Sequence, residues 1–155
     1  MLKTDVCIVG AGPGGTATAL KLHHLGIPCV LVDKAVFPRD KVCGDAISGK
    51  AALVLRRIDR AIMERFEAAD TEQTSVWGIR FVAPNKKEIE VPIRVGYDHA
   101  TDPKQGYVSK RTDFDLRLVE EVKRCDSVDF YEGISIEKYE KTPDGYRVSS
   151  ADGSF

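Results

Sequence analysis

The stretch that decides the fold is "VGAGPGGTATA", residues 9–19. Four of its eleven residues are glycine, and most of the rest are small. Such a stretch leaves the main chain bare, either for a flexible turn or for something that must come very close to it. The flanking residues choose between the two. "DVCIVG", residues 5–10, is apolar and β-branched, the pattern of a strand buried on both faces. From Pro13 to Leu25, the residues Ala17, Leu20, Leu22 and Leu25 predict a helix with a tight packing face. Gly26 ends it, with Pro28 two residues on. "CVLVD", residues 29–33, predicts a second buried strand.

Strand, helix and strand in about 30 residues make a parallel βαβ unit. Such a unit closes right-handed and turns its helix N-terminus toward the crevice at the strand ends. Gly10, Gly12 and Gly15 fit G-x-G-x-x-G in that setting. Gly10 permits the sharp turn out of the strand, Gly12 lets a pyrophosphate approach the main chain, and Gly15 lets helix and sheet pack closely. The helix N-terminus offers undonated N–H groups and a partial positive charge to that pyrophosphate. Pro13 suits the first helical turn, where it sacrifices no hydrogen bond. Asp33, at the end of the second strand, is placed to accept from adenosine ribose hydroxyls and to repel a 2′-phosphate. The whole reads as a dinucleotide-binding unit, and the βαβ pattern alone does not separate FAD from NAD.

Beyond it, residues 34–47 lack a period and read as an ordered loop. A helical region is predicted from about Ser48 to Ala69, with Leu53, Leu55, Ile58, Ile62 and Phe66 as core positions. "SVWGIRFVAPNKKEIEVPIRV", residues 75–95, reads as two strands around a Pro84–Asn85 turn. "YVSKRTDFDLRLVEEVKRC", residues 107–125, reads as a short strand and then a helix opened by Thr112. Asp115 gives that helix a capping-box-like start, and Phe114, Leu116, Leu118, Val119 and Val122 are its apolar residues. "VDFYEGISIEKYE" and "YRVSS" follow, with "PDG" at 143–145 as a turn.

At 155 residues the chain is long enough for one domain with a real core. A net charge of −1 and the lack of a basic cluster argue against a nucleic-acid partner. No apolar run approaches the roughly 20 residues that span a bilayer, and "MLKTDVCIVG" does not read as a signal peptide. The expected location is cytoplasmic, with peripheral membrane contact left open. Cys7 and Cys29 lie in apolar runs and are expected as packed free thiols. His23, His24 and His99 show no metal-ligand spacing with cysteine, and no metal is expected. His23 and His24 read as surface residues.

"FPRDKVCGDAISGKA", residues 37–51, resembles the segment after the first βαβ unit in the geranylgeranyl reductase family. These are FAD-dependent oxidoreductases with the fold of the p-hydroxybenzoate-hydroxylase-like enzymes. "YVSKRTDFDLRLVEEV", residues 107–122, resembles a second family segment, a strand leading to Arg and a Phe-Asp helix start. The resemblance implies an α/β, Rossmann-like FAD-binding domain with a parallel βαβ core and antiparallel hairpins. It implies FAD as cofactor, with NADPH or NADH as transient reductant. The implied cofactor set is Gly10, Gly12, Pro13, Gly14, Gly15 and Asp33 with Lys34. To these it adds Cys43, Gly44 and Ala46 in the following loop, and Arg111 at the helix start; Arg39 joins them from its charge, as a cation that would screen phosphate, with a solvated loop residue as the alternative. Arg111 suits a pyrophosphate or ribitol oxygen, and Lys41 is a further cation that would screen phosphate. Cys43 is the weak catalytic candidate, read as positioning flavin or substrate rather than as a nucleophile.

Family members run to more than twice this length and more often carry Glu where Asp33 stands. The chain is therefore expected to be the N-terminal portion of such an enzyme, incomplete at its C-terminus. About 76–106 would form a β-hairpin insertion on the substrate side, and the remaining part would add strands to the first sheet. The implied reaction is reduction of an isoprenoid-type double bond in a small-molecule or lipid-like substrate. The alternatives are a flavin monooxygenase or halogenase on the same fold and, in another class, a cofactor-binding module without turnover.

Overall fold

The structure is a computed structural model and describes residues 2–68, 73–98 and 100–155. His99 and the expected helix end at Ala69 lie outside the described residues. The chain forms two compact units. One runs as far as Val42 and resumes at Thr112; the other is Cys43–Arg111.

The first unit is built on the βαβ pattern. Strand β1 (Cys7–Val9), helix α1 (Pro13–His24) and strand β2 (Cys29–Asp33) follow in order. β2 is paired in parallel with β1 on one side and with a later strand, β8 (Val128–Glu132), on the other. Between two neighbours, all five residues of β2 are buried. Full burial of side chains such as Leu31 and Val32 contributes about 1.5–3 kcal/mol each. β1 corrects the sequence expectation. It has one paired neighbour among the described residues, so it is an edge strand; Cys7 is exposed and Val9 is 44% exposed. Cys29 does pack as a buried thiol; Cys7 does not.

Helix α1 has the expected bounds to within a residue, and Gly26 follows it at φ +71°. Its buried face is Thr16, Ala19 and Leu20, at helical spacing, whereas Leu25 points to solvent. His24 is exposed, and half-buried His23 shares a 2.7 Å hydrogen bond with Ser127 Oγ. The unit is completed by α4 (Arg111–Lys123), whose first residue belongs to the second unit, and by the hairpin β9 (Ile136–Thr142) and β10 (Gly145–Ser150). That hairpin turns at the expected Pro-Asp-Gly.

The second unit holds β3 (Ala46–Ile47), α2 (Gly49–Ile58), α3 (Arg60–Ala68), β4 (Gln73–Val76), β5 (Gly78–Val82), β6 (Glu88–Pro92) and β7 (Gly106–Ser109). The single helical region expected from Ser48 is two helices. Asp59 is extended and its carboxylate accepts from Ala61 N at 2.9 Å, which ends α2 and starts α3. Leu55, Ile58, Ile62 and Phe66 are buried as expected. Leu53 is 45% exposed, because the inward face of α2 runs through Ala52, Leu55 and Ile58. β3, β7 and β4 form an antiparallel sheet, and β5 and β6 form the expected hairpin, with Lys86 at φ +62° in its turn.

Candidate functional site

The glycine loop joins β1 to α1, and each glycine of the motif has its own surroundings. Gly10 has φ +104°, which favours glycine, and its N–H donates to Val32 O at 2.7 Å. A Cβ on Gly15 would stand 1.8 Å from Gly10 O and 3.4 Å from Ile8 Cγ2. Close packing of helix on strand therefore requires glycine there. A Cβ on Gly12 would meet only Arg39 Nη2, at 3.6 Å, and one on Gly14 would meet nothing within 4 Å. Pro13 takes the first turn of α1, and no side chain caps the helix N-terminus. The fold itself demands Gly10 and Gly15, while Gly12 and Gly14 keep a space open.

Asp33 closes one side of this space. It is buried; its Oδ2 accepts from Ala11 N at 2.6 Å and its Oδ1 from Ala35 N at 2.8 Å. The carboxylate thus ties the glycine loop to the end of β2. An ionised carboxylate has about four lone-pair sites, so each oxygen keeps capacity for a hydroxyl. Lys34 beside it is exposed.

The loop after β2 brings Arg39 back over the glycines. Phe37 anchors it: its ring packs against Phe130 and its N–H donates to Glu132 Oε1 at 2.9 Å. The Arg39 guanidinium lies 5.1 Å above the Phe37 ring. Its Nη2 is 3.2 Å from Asp115 Oδ2, while Nη1 is buried with no hydrogen-bond partner among the described residues. A buried donor without an acceptor costs about 1–3 kcal/mol. The guanidinium reaches the bare glycines through Nη2, beside an uncapped helix start. This corner suits an oxyanion, and its donors are those that a diphosphate accepts from.

Asp115 is the residue sequence reading missed. α4 begins at Arg111, so Thr112 falls inside the first turn instead of capping it. Asp115 is 0% exposed and pairs with Arg39. The signal was an acid on the apolar stripe that continues through Leu118, Val119 and Val122.

Cys43, Gly44, Ala46 and Arg111 fall in the second unit. Cys43, Gly44 and Ala46 are exposed, and Arg111 is half-buried. Both resemblance segments share one ladder there: Ala46 pairs with Val108, and Ser109 N donates to Asp45 O at 2.9 Å. The same unit contains a polar cluster invisible in the sequence. Buried Tyr107 donates its hydroxyl to Glu67 Oε1, and Arg56 Nη2 donates to both, at 2.8 Å to Glu67 and 2.9 Å to Tyr107. Burial first, and the bond to Glu67 second, hold the Tyr107 phenol well above its ordinary pKa.

Parallel βαβ core, glycine turn and terminal acid define a dinucleotide-binding α/β fold. More narrowly, the chain belongs to the FAD-binding-domain family, which matches residues 3–154. It is similar to menaquinone reductase of Mycolicibacterium smegmatis, with 46% identity over 59 residues, 38% of this chain and 14% of that protein. Digeranylgeranylglycerophospholipid reductase 1 of Methanothermobacter thermautotrophicus is 27% identical over 151 residues, 96% of this chain and 34% of that protein. Among solved structures, the myxobacterial chondrochloren halogenase, an FAD-dependent halogenase, shares the fold at TM-score 0.76 and 19% identity, over 97% of this chain and 34% of its own. The chain spans about a third of the length of that reductase. No helix among the described residues is long and apolar enough to cross a membrane.

Proposed function

We propose that this chain carries the FAD site of a geranylgeranyl-reductase-like enzyme that reduces a double bond in an isoprenoid-type, small or lipid-like substrate. The observation that carries the cofactor reading is the Arg39 guanidinium, with Nη2 against Gly12 and the buried Nη1 undonated, beside the open space at Gly12 and Gly14. In this reading the diphosphate rests on the glycine loop and the N-terminus of α1. Arg39 donates to it, and Asp33 accepts from the adenosine ribose. Lys34 and Lys41 add positive potential at the rim. Cys43, Gly44 and Ala46 line the flavin side, with the Cys43 thiol positioning rather than reacting, and Arg111 takes a pyrophosphate or ribitol oxygen. The hairpin region 76–106 serves the substrate side. Bound FAD supplies the redox chemistry, passing hydride from NADPH or NADH to the substrate; the residues here bind, orient and neutralise.

Sequence similarity favours a reductase over an oxygenating enzyme. The two curated proteins described above are named reductases, one for a geranylgeranyl-bearing lipid. The halogenase likeness, at 19% identity, is one of fold.

Two measurements test the reading. Asp33→Ala should weaken FAD binding by about 1–3 kcal/mol in a fluorescence titration, the loss of a charged acceptor; unchanged affinity would move the ribose elsewhere. Turnover of a prenyl substrate with NADPH should proceed without oxygen. Strict oxygen dependence would favour the monooxygenase or halogenase alternative.

A further inference from the structure

We propose that Asp115 is the positioning residue of the diphosphate site: its buried carboxylate holds the Arg39 guanidinium so that the same nitrogen, Nη2, stands against the glycine loop at Gly12. The proposal rests on the FAD reading above and deepens it. Three observations support it. Asp115 lies on the inward stripe of α4 at 0% exposure, and a carboxylate in such a place needs a cation. The cation it meets is Arg39, 3.2 Å away and only 17% exposed in its side chain. Arg39 Nη2 stands between the acid and the loop, 3.6 Å from where a Cβ on Gly12 would lie, while Nη1 is buried without a partner among the described residues.

Were the pair only a brace between the loop and α4, a guanidinium could satisfy a carboxylate with two parallel bonds. Instead one arm is held and one is left over. The Phe37 ring beneath the guanidinium plane, 5.1 Å from its carbon, removes the remaining freedom of tilt. The ring is in turn held on β8 by Glu132 and Phe130. Asp115 thus acts on the cofactor through Arg39, without touching it. Neutralising Arg39 also lets the cation stay buried before any phosphate arrives.

The test is a double-mutant cycle on FAD affinity, with inorganic pyrophosphate as competitor. Asp115→Ala should weaken FAD binding about tenfold with Arg39 present, and less than twofold in an Arg39→Gln background. Pyrophosphate should compete less well in the single variant. Equal losses in both backgrounds would overturn the positioning role. If Asp115→Ala does not fold, Asp115→Asn keeps the shape and one acceptor oxygen. It should show a three- to fivefold loss that again vanishes with Arg39→Gln, and its persistence there would overturn the proposal. Gly12→Val separates the two levels: if it leaves FAD affinity unchanged, the glycine-loop reading fails. If it abolishes binding while the cycle is additive, only the role of Asp115 fails.

Discussion

Strand β2 and the β5–β6 hairpin both carry β-branched apolar residues and live in opposite surroundings. β2 reads Cys-Val-Leu-Val-Asp, flanked by a strand on each side, and every residue is buried. The hairpin pairs Ile79 with Val91 and Phe81 with Ile89, and all four are about half exposed or more. Its other face carries Arg80, which bonds Glu90 at 2.6 Å and lies 3.7 Å from Glu88. The hairpin sheet has two strands among the described residues, so its side chains meet partners only across the ladder. The same apolar alphabet is therefore core in one place and surface in the other. What differs is the charge interleaved in the hairpin strands and the number of paired neighbours among the described residues.

The contrast is open to direct attack. Leu31→Ala should lower unfolding free energy by about 2–5 kcal/mol in urea titration, whereas Phe81→Ala should change it by less than about 0.5 kcal/mol. Equal losses would mean that the hairpin face is covered after all. The glycine loop offers a finer version. Gly15→Ala forces a Cβ against Gly10 O and should cost about 1–3 kcal/mol of stability. Gly12→Val should leave thermal stability nearly unchanged while FAD affinity falls at least tenfold. If the two variants behave alike, the division between a structural and a functional glycine is lost.

The smallest effect concerns pH. The Tyr107 phenol is held above its ordinary value, so in alkali the unfolded chain ionises before the folded one does. Stability from this shift is complete below about pH 10 and declines as pH rises further. Unfolding of Tyr107→Phe, followed between pH 8 and 11, should show a flatter alkaline limb than the parent.

The βαβ core was legible because its signals are local: an apolar run, a glycine spacing and an acid at a fixed distance. β2 and the hairpin turn at Pro84–Asn85 fall where the pattern puts them. The exposure of β1 was not legible, since its run is as apolar as that of β2 and differs in having one paired neighbour among the described residues. The break at Asp59 escaped because aspartate is neither Gly nor Pro, and its capping role emerges only once the chain leaves helical geometry there. Asp115 escaped because Thr-x-x-Asp also suits a helix start. Its burial against Arg39 depends on a partner 76 positions away, as their residue numbers show.

The link from Phe37 N to Glu132 carries a consequence for biosynthesis. β2 pairs with β8, so the loop bearing Arg39 lacks its Glu132 anchor until residue 132 has emerged from the ribosome. The glycine turn is made before β8, so its surroundings stay incomplete until that strand is available. The intervening segment must take shape while the earlier strand waits half-paired. Such delayed closure slows folding, and it exposes the nascent chain to wrong pairing until β8 is made.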